Sequence, residues 1–284
     1  MKTVLVAGSI HYDIMVETDH LPRVDETAIG RRWYPKFGGK GGNQAVSARR
    51  QGAPSRMVGA VGRDEFGAFL RARLVEGGVD DRFVRQADAG SGMSVAMMLP
   101  NGDYAATIVS GANLTLGAAD LAPDAVWQDV GLLVLQNEMP EAANLAAATE
   151  AHRRGIRTLL NAAPCRPLSA DFAKLVDILV VNAVEAEMMG AGKLCGLPSA
   201  AEAARKLAAR FKTVIVTAGA HGLAAFGAHD EELVLPAEKV EVVSSHGAGD
   251  AFIGALAAAL VGGADLATAC RAASAAAARH VAGG

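Results

Sequence analysis

Cysteine is scarce in this 284-residue chain, and Cys165, Cys195 and Cys270 stand far apart, odd in number and in no CxxC arrangement. That spacing argues against a disulfide framework or a thiolate metal site and fits a reducing compartment. Basic runs are missing too: the 27 Lys and Arg and the 30 Asp and Glu are mixed along the chain, for a net charge of -3. With no stripe of cations to follow a phosphate backbone, nucleic acid is not an expected partner. Long apolar runs are also absent. Val4 to Ala7 is too short for a signal-peptide core. Ala251 to Ala264 contains three glycines, stops at Asp265 and falls short of the roughly 20 residues that span a bilayer. The expectation is a cytoplasmic protein that does not enter membranes. No internal repeat or low-complexity linker divides the chain.

What is present describes a globular protein with a large core, since 51% of residues are hydrophobic and only 20% charged. Short β-rich runs at Thr3 to Ala7, Met57 to Val61, Leu132 to Gln136, Arg157 to Leu160, Ile178 to Asn182 and Val214 to Thr217 alternate with helical patterns. Alternation of this kind predicts an α/β fold, a mostly parallel sheet covered by helices. Phe66, Phe69, Leu70 and Leu74 mark one face of a helix that Gly77 and Gly78 can end. A capping box, Ser199 with Glu202, predicts another helix from Ser199 toward Phe211. Ala267 to Ala282 reads as one Ala-rich helix. Two segments, Ile14 to Phe37 and Met93 to Val109, have strand-like alternation and turn signals such as Asn101-Gly102-Asp103, which predicts hairpins forming a small β lid.

Two glycine clusters carry the chemistry. Ser245-His246-Gly247-Ala248-Gly249-Asp250 leads directly into the apolar run Ala251 to Leu260. Small residues before a helix let backbone N–H groups converge on an anion, and the helix N-terminus adds positive potential. Asp250, in the first turn, is placed to deprotonate a hydroxyl while the amides around Gly247, Ala248 and Gly249 stabilise a transferring phosphoryl group. An ordinary loop with a helix-start aspartate would read the same way locally. The other cluster, Phe37-Gly38-Gly39-Lys40-Gly41-Gly42-Asn43-Gln44, precedes a helix pattern from Ala45 to Gln51. Its glycines permit close backbone approach to a small ligand, and Asn43 offers a donor and an acceptor. It is not a Walker A loop, because Gly follows Lys40, and neither cluster gives GxGxxG after the first strand.

The ordered pair GGKGGNQA and GAGDAF resembles the ribokinase-like (PfkB) carbohydrate kinase family over essentially the whole chain. Gly8-Ser9-Ile10 with Asp13, Val61-Gly62-Arg63-Asp64 with Phe66-Gly67, Gly111-Ala112-Asn113, Asn161-Ala162-Ala163-Pro164, and Asn182 with Glu185 fall in family order between and before them. The resemblance implies a three-layer sandwich over residues 1–284 with lid segments at about 11–37 and 91–110. It implies ATP-dependent phosphorylation of a sugar hydroxymethyl, with Asp250 as base. It also implies sugar hydroxyls held by Asp13, Gly39, Lys40, Gly41, Asn43 and Glu138, and nucleotide contacts from Asn182, Thr217, Gly219 and Gly222. Glu185 would hold Mg2+ through water, in keeping with that ion's preference for oxygen ligands and retained waters. A homodimer formed through the lid follows from the same resemblance.

The chain departs from the family at several points. Ser244, Ser245 and His246 stand where Asp-Thr-Thr is usual, so the carboxylate that helps bind a monovalent cation is replaced by a hydroxyl. A neutral oxygen attracts a cation less, so weak or absent potassium dependence is expected, with His246 the nearest candidate to order the loop instead. His11 replaces Asn, and Tyr12 beside Asp13 offers a ring that could stack on a nucleoside substrate. The chain stops at Gly283-Gly284, where many relatives continue for another short segment. A nucleoside kinase, or a catalytically weak sensor of sugar or nucleotide, is therefore carried beside the sugar kinase.

Overall fold

A computed structural model describes residues 1–101, 103–227 and 231–284. Thirteen strands are found among them: β1 Thr3–Ala7, β2 His11–Thr18, β3 Gly30–Gly38, β4 Ser55–Gly62, β5 Asp80–Ala87, β6 Met93–Met98, β7 Tyr104–Val109, β8 Val130–Gln136, β9 Arg157–Asn161, β10 Ile178–Asn182, β11 Thr213–Thr217, β12 Gly222–Phe226 and β13 Glu232–Pro236. Nine form one sheet in the order β13-β12-β11-β10-β9-β8-β1-β4-β5. Its pairs are parallel from β11 through β5, while β12 is antiparallel to both of its neighbours, β11 and β13. Every residue of β1 and β4 is buried, as expected of strands covered on both faces.

Ten α-helices among the described residues cover the sheet: α1 Lys40–Arg50, α2 Glu65–Glu76, α3 Ala118–Leu121, α4 Asp124–Trp127, α5 Glu141–Arg153, α6 Ala170–Lys174, α7 Ala183–Met188, α8 Leu197–Leu207, α9 Ala248–Val261 and α10 Leu266–Val281. Alternate residues of each strand feed two cores. Leu5, Leu133, Leu135 and Val181 pack with α3 to α8, while Val4, Val6, Leu132 and Val180 pack with α1, α2, α9 and α10. The result is a three-layer α/β sandwich.

The remaining strands make a separate sheet in the order β3-β2-β6-β7. The two expected hairpins are present as antiparallel pairs, and a parallel β2–β6 pairing joins them. Of the Asn101-Gly102-Asp103 turn signal, Gly102 lies outside the described residues.

Three expectations need correction. α1 begins at Lys40, not Ala45, so most of the glycine cluster is helix rather than loop. α8 begins at Leu197, not Ser199: Ser199 accepts the amides of Cys195 and Gly196 behind it, and the helix ends at Leu207, short of Phe211. Tyr12, expected to offer its ring for stacking, is instead packed within the protein: its ring stacks on Phe66 at 4.0 Å between centroids and meets Phe69 edge-on at 4.8 Å.

Candidate active site

The chain leaves β1 toward β4 and β5 on one side, and builds β8 to β11 on the other. The strand order therefore reverses between β1 and β8. In open parallel sheets that reversal opens a crevice beyond the carboxyl ends of the strands. Ser9 follows β1 and Glu138 follows β8 at that edge, and Asn182 and Thr217 end β10 and β11 there.

α1 starts in the crevice. The Ser9 hydroxyl donates to Glu138 Oε2, and the Lys40 amide donates to the same oxygen at 3.0 Å. Asp13 lies beside them on β2, paired in register with Lys36, and its Oδ1 accepts the Ser94 hydroxyl at 2.6 Å. Gly38 makes room for this carboxylate, since a Cβ there would sit 2.0 Å from Asp13 Oδ2. His11, only 4% exposed, has no partner for Nε2 among the described residues. Burial lowers its pKa, against the opposing pull of Glu138 and Asp13.

α9 starts on the other side of the crevice and packs against α1, where Ser47 donates to the Ala251 carbonyl at 3.0 Å. Asp250, in the first turn of α9, is 8% exposed. Its two oxygens each have a fixed donor: Asn43 Nδ2 at 3.2 Å on Oδ2 and Gln44 Nε2 at 2.9 Å on Oδ1. Gln44 also donates to Asn161 Oδ1 at 3.1 Å and accepts from Gln136 Nε2 at 2.7 Å. The Gln136 carbonyl is in turn held by Asn144. Burial raises the Asp250 pKa above the usual carboxylate range, and the Lys40 charge with the Gln44 and Asn43 hydrogen bonds only partly offsets it.

Two cavities meet at Asp250. One, of about 650 Å³, is lined by residues including Lys36, Asn43, Arg50, His246 and Arg279. The other, of about 140 Å³, is lined by Lys40, Asn161, Asn182, Glu185, Thr217 and Gly249 among others. Gly247 and Asp250 belong to both linings. In the smaller cavity, Asn182 and Glu185 cap α7 reciprocally, each side chain accepting the other's amide at 2.9 Å. Burial raises the Glu185 pKa, while the Asn182 amide and Lys40 oppose the shift.

The crevice thus brings together Asp250, Gly247, Gly249, Asn43, Lys40, Asn182, Glu185 and Thr217, with Ala248 in the same helical turn. Asp13, Glu138, Gly39 and Gly41 stand at the α1 entrance. Gly219 and Gly222 line neither cavity. Gly219 is exposed, and Gly222 is buried at the β12–β13 hairpin, where a Cβ would lie 2.0 Å from the Leu235 carbonyl. The residues that residue-by-residue reading left unassigned are Gln44, Gln136 and Asn161. Their signal was a set of polar side chains at the ends of otherwise apolar strands and inside a glycine-rich run.

Cys165, Cys195 and Cys270 are free thiols, and burial pushes Cys270 up to about 12. Among the described residues no helix is long and apolar enough to cross a membrane, and no cluster of three or more His, Cys, Asp or Glu could cage a metal.

Comparison with known proteins agrees with this fold. The chain is 36% identical to the ribokinase of Mus musculus over 259 residues, covering 89% of this chain and 80% of that one. It is 32% identical to the ribokinase of Bacillus subtilis over 283 residues, covering 99% and 93%. The structure of Arabidopsis thaliana ribokinase complexed with ribose and ATP superposes with a TM-score of 0.91 at 28% identity, covering 99% of this chain and 92% of that one. The model of the pfkB family carbohydrate kinases matches residues 1–282, and the chain belongs to that family.

Proposed function

We propose that this kinase transfers the γ-phosphoryl group of ATP to an exocyclic hydroxymethyl of a ribose-like sugar, with Asp250 as general base. The observation that carries this is the place of Asp250, a buried carboxylate in the wall common to two cavities and in the first turn of a 14-residue helix. Asn43 and Gln44 fix its orientation, leaving lone pairs for the acceptor hydroxyl. The raised pKa makes it a stronger base than a solvated aspartate. As the hydroxyl oxygen bonds to the γ-phosphorus, its proton passes to Asp250, the bond to the β-phosphate oxygen breaks, and ADP leaves. The amides of Gly247, Gly249 and Asp250, which have no acceptor among the described residues, are the donors that stabilise the charge that moves.

Asp13, Glu138, Asn43 and the backbone at Gly39 and Gly41 hold the remaining sugar hydroxyls. Lys40 serves both sides, because it leaves the α1 entrance and lines the smaller cavity. Asn182 and Thr217, with Gly219 and Gly222 behind them, face the nucleotide. Glu185 fits a magnesium ion held through water: it is a single oxygen donor beside a phosphate-sized cavity, which suits an ion that keeps its waters and takes phosphate oxygens. When bound, that ion would neutralise charge on the phosphates.

The small sheet supports a lid over the acceptor. Exposed apolar residues on its edge strands, Tyr104, Ile108 and Val109 on β7 and Trp33 on β3, support pairing of two such sheets in a homodimer. Three free thiols support a cytoplasmic setting. A sugar is favoured over a nucleoside because the Tyr12 ring is taken up by Phe66 and Phe69. A coupled ATPase screen over pentoses, hexoses and nucleosides tests the reading. Sugar-stimulated turnover is expected, and stimulation by nucleosides alone would overturn the acceptor assignment.

A further inference from the structure

The segment entering α9 is exposed and irregular from Glu238 to His246, yet the last turn of α10 ties it down. The Val281 carbonyl accepts the Val243 amide at 2.7 Å and the Ser244 amide at 3.2 Å. One residue earlier on α10, His280 Nε2 lies 2.9 Å from the His246 carbonyl oxygen. A carbonyl only accepts, so Nε2 carries the proton and donates. The same ring lies against Gly247, where a Cβ would come within 3.0 Å of Nε2.

This contact sets the direction of an amide. The peptide between His246 and Gly247 is planar, and its C=O and N–H point opposite ways. His280 lines the larger cavity and not the smaller, while Gly247 lines both. Holding the His246 carbonyl toward His280 therefore turns the Gly247 N–H toward the smaller cavity, and that N–H has no acceptor among the described residues. Ser244 supplies only a long link, its hydroxyl accepting the His246 amide at 3.3 Å. His246, the candidate suggested by sequence, contributes its backbone rather than its ring.

We infer that His280 is a positioning residue for phosphoryl transfer, its imidazole orienting the 246–247 peptide so that the Gly247 amide is preformed as an anion-hole donor. The inference rests on the reading of the α9 start as the phosphoryl site. Both the neutral Nε2–H tautomer and the imidazolium donate, so the link is a fixed brace and not a pH switch.

The test compares wild type, His280→Ala, His280→Gln and Asp250→Asn in two assays, with melting temperatures checking that each variant folds. With ATP and ribose, His280→Ala should lower kcat about tenfold to a hundredfold, short of the loss from deleting an anion-hole donor outright, while KM for ribose stays within about twofold. Glutamine places a side-chain N–H at similar reach and should restore most of the rate, as should added imidazole in His280→Ala in part. The second assay needs no acceptor. The preference of wild type for a non-hydrolysable ATP analogue over ADP should shrink in His280→Ala and return in His280→Gln. An unchanged kcat and analogue preference in His280→Ala, or a folded His280→Gln as impaired as His280→Ala, would overturn the role of His280. Full activity in Asp250→Asn would instead sink the site reading beneath it.

Discussion

Gly39 and Gly41, where α1 begins, are enclosed by main chain, whereas Gly249, where α9 begins, faces empty space. A Cβ on Gly39 would sit 2.7 Å from the His11 nitrogen and the Ile10 Cα, and one on Gly41 would sit 2.7 Å from the Gly8 backbone. A Cβ on Gly249 would meet nothing within 4 Å, although Gly249 lines the smaller cavity. Both helix starts read as ligand loops in the sequence. The first needs its glycines so that α1 can lie against the chain leaving β1, which places Asn43 and Gln44 on Asp250. The second leaves the Cβ side of its glycine open, the openness expected of the phosphate site proposed above.

The comparison can be broken most decisively at Asp250, where the two helix starts meet. Asp250→Asn should reduce kcat by about 10² to 10⁴ while nucleotide binding stays near wild type, measured by steady-state kinetics and calorimetry. Stability carries its own pH dependence. The folded pKa of Asp250 is raised, so its contribution is complete below the unfolded pKa and is lost as pH rises through the folded one. The Tm of wild type relative to the asparagine variant should therefore fall as pH rises from acid, measured by thermal melts across pH.

The two sets of glycines should separate next. Gly41→Ala forces a methyl into backbone, and overpacking of this kind costs about 1–3 kcal/mol or more, visible as a lower Tm in thermal melts. Gly249→Ala should leave Tm unchanged or raise it, because alanine is favoured over glycine in helices by up to about 1 kcal/mol, and yet raise KM for ATP. Equal destabilisation by both substitutions would erase the distinction.

A smaller effect concerns pH. Gln44→Leu removes a hydrogen bond that favours the charged carboxylate, so the Asp250 pKa should rise further and the acid limb of the kcat profile should move to higher pH. An unmoved limb would mean that Asp250 does not govern it. The smallest expected effect is that of potassium. With Ser244 neutral and the His246 carbonyl already held by His280, replacing potassium by a bulky organic cation at constant ionic strength should change turnover little.

Much of this was legible in residues. Apolar runs such as Thr3 to Ala7 and Ile178 to Asn182 appear as strands with the same bounds, because a strand buried on both faces has little choice of register or period. The helix start at Asp250 was legible as well, since it has local chemistry that a short motif can encode, whereas Asn182 and Glu185 were singled out only by the family resemblance. The start of α1 was not legible. Gly41, Gly42 and Asn43 in its first turn have poor helix propensity, and packing against Ser9 and Gly8 holds them helical. Tyr12 failed for a related reason: adjacent residues on a strand point to opposite faces, and only α2 determines which face is filled.

The sequence by itself determined the alternation of strands and helices, the hairpins of the small sheet and the glycine-rich start of α9, because hydrophobic period and glycine freedom act over a few neighbouring residues. Tertiary structure alone decided that Gln44 and Asn43 clasp an aspartate more than 200 positions away, and that His280 braces a carbonyl 34 positions before it. Those contacts depend on the angle at which α1, α9 and α10 pack on one face of the sheet, and no local pattern of residues encodes that angle.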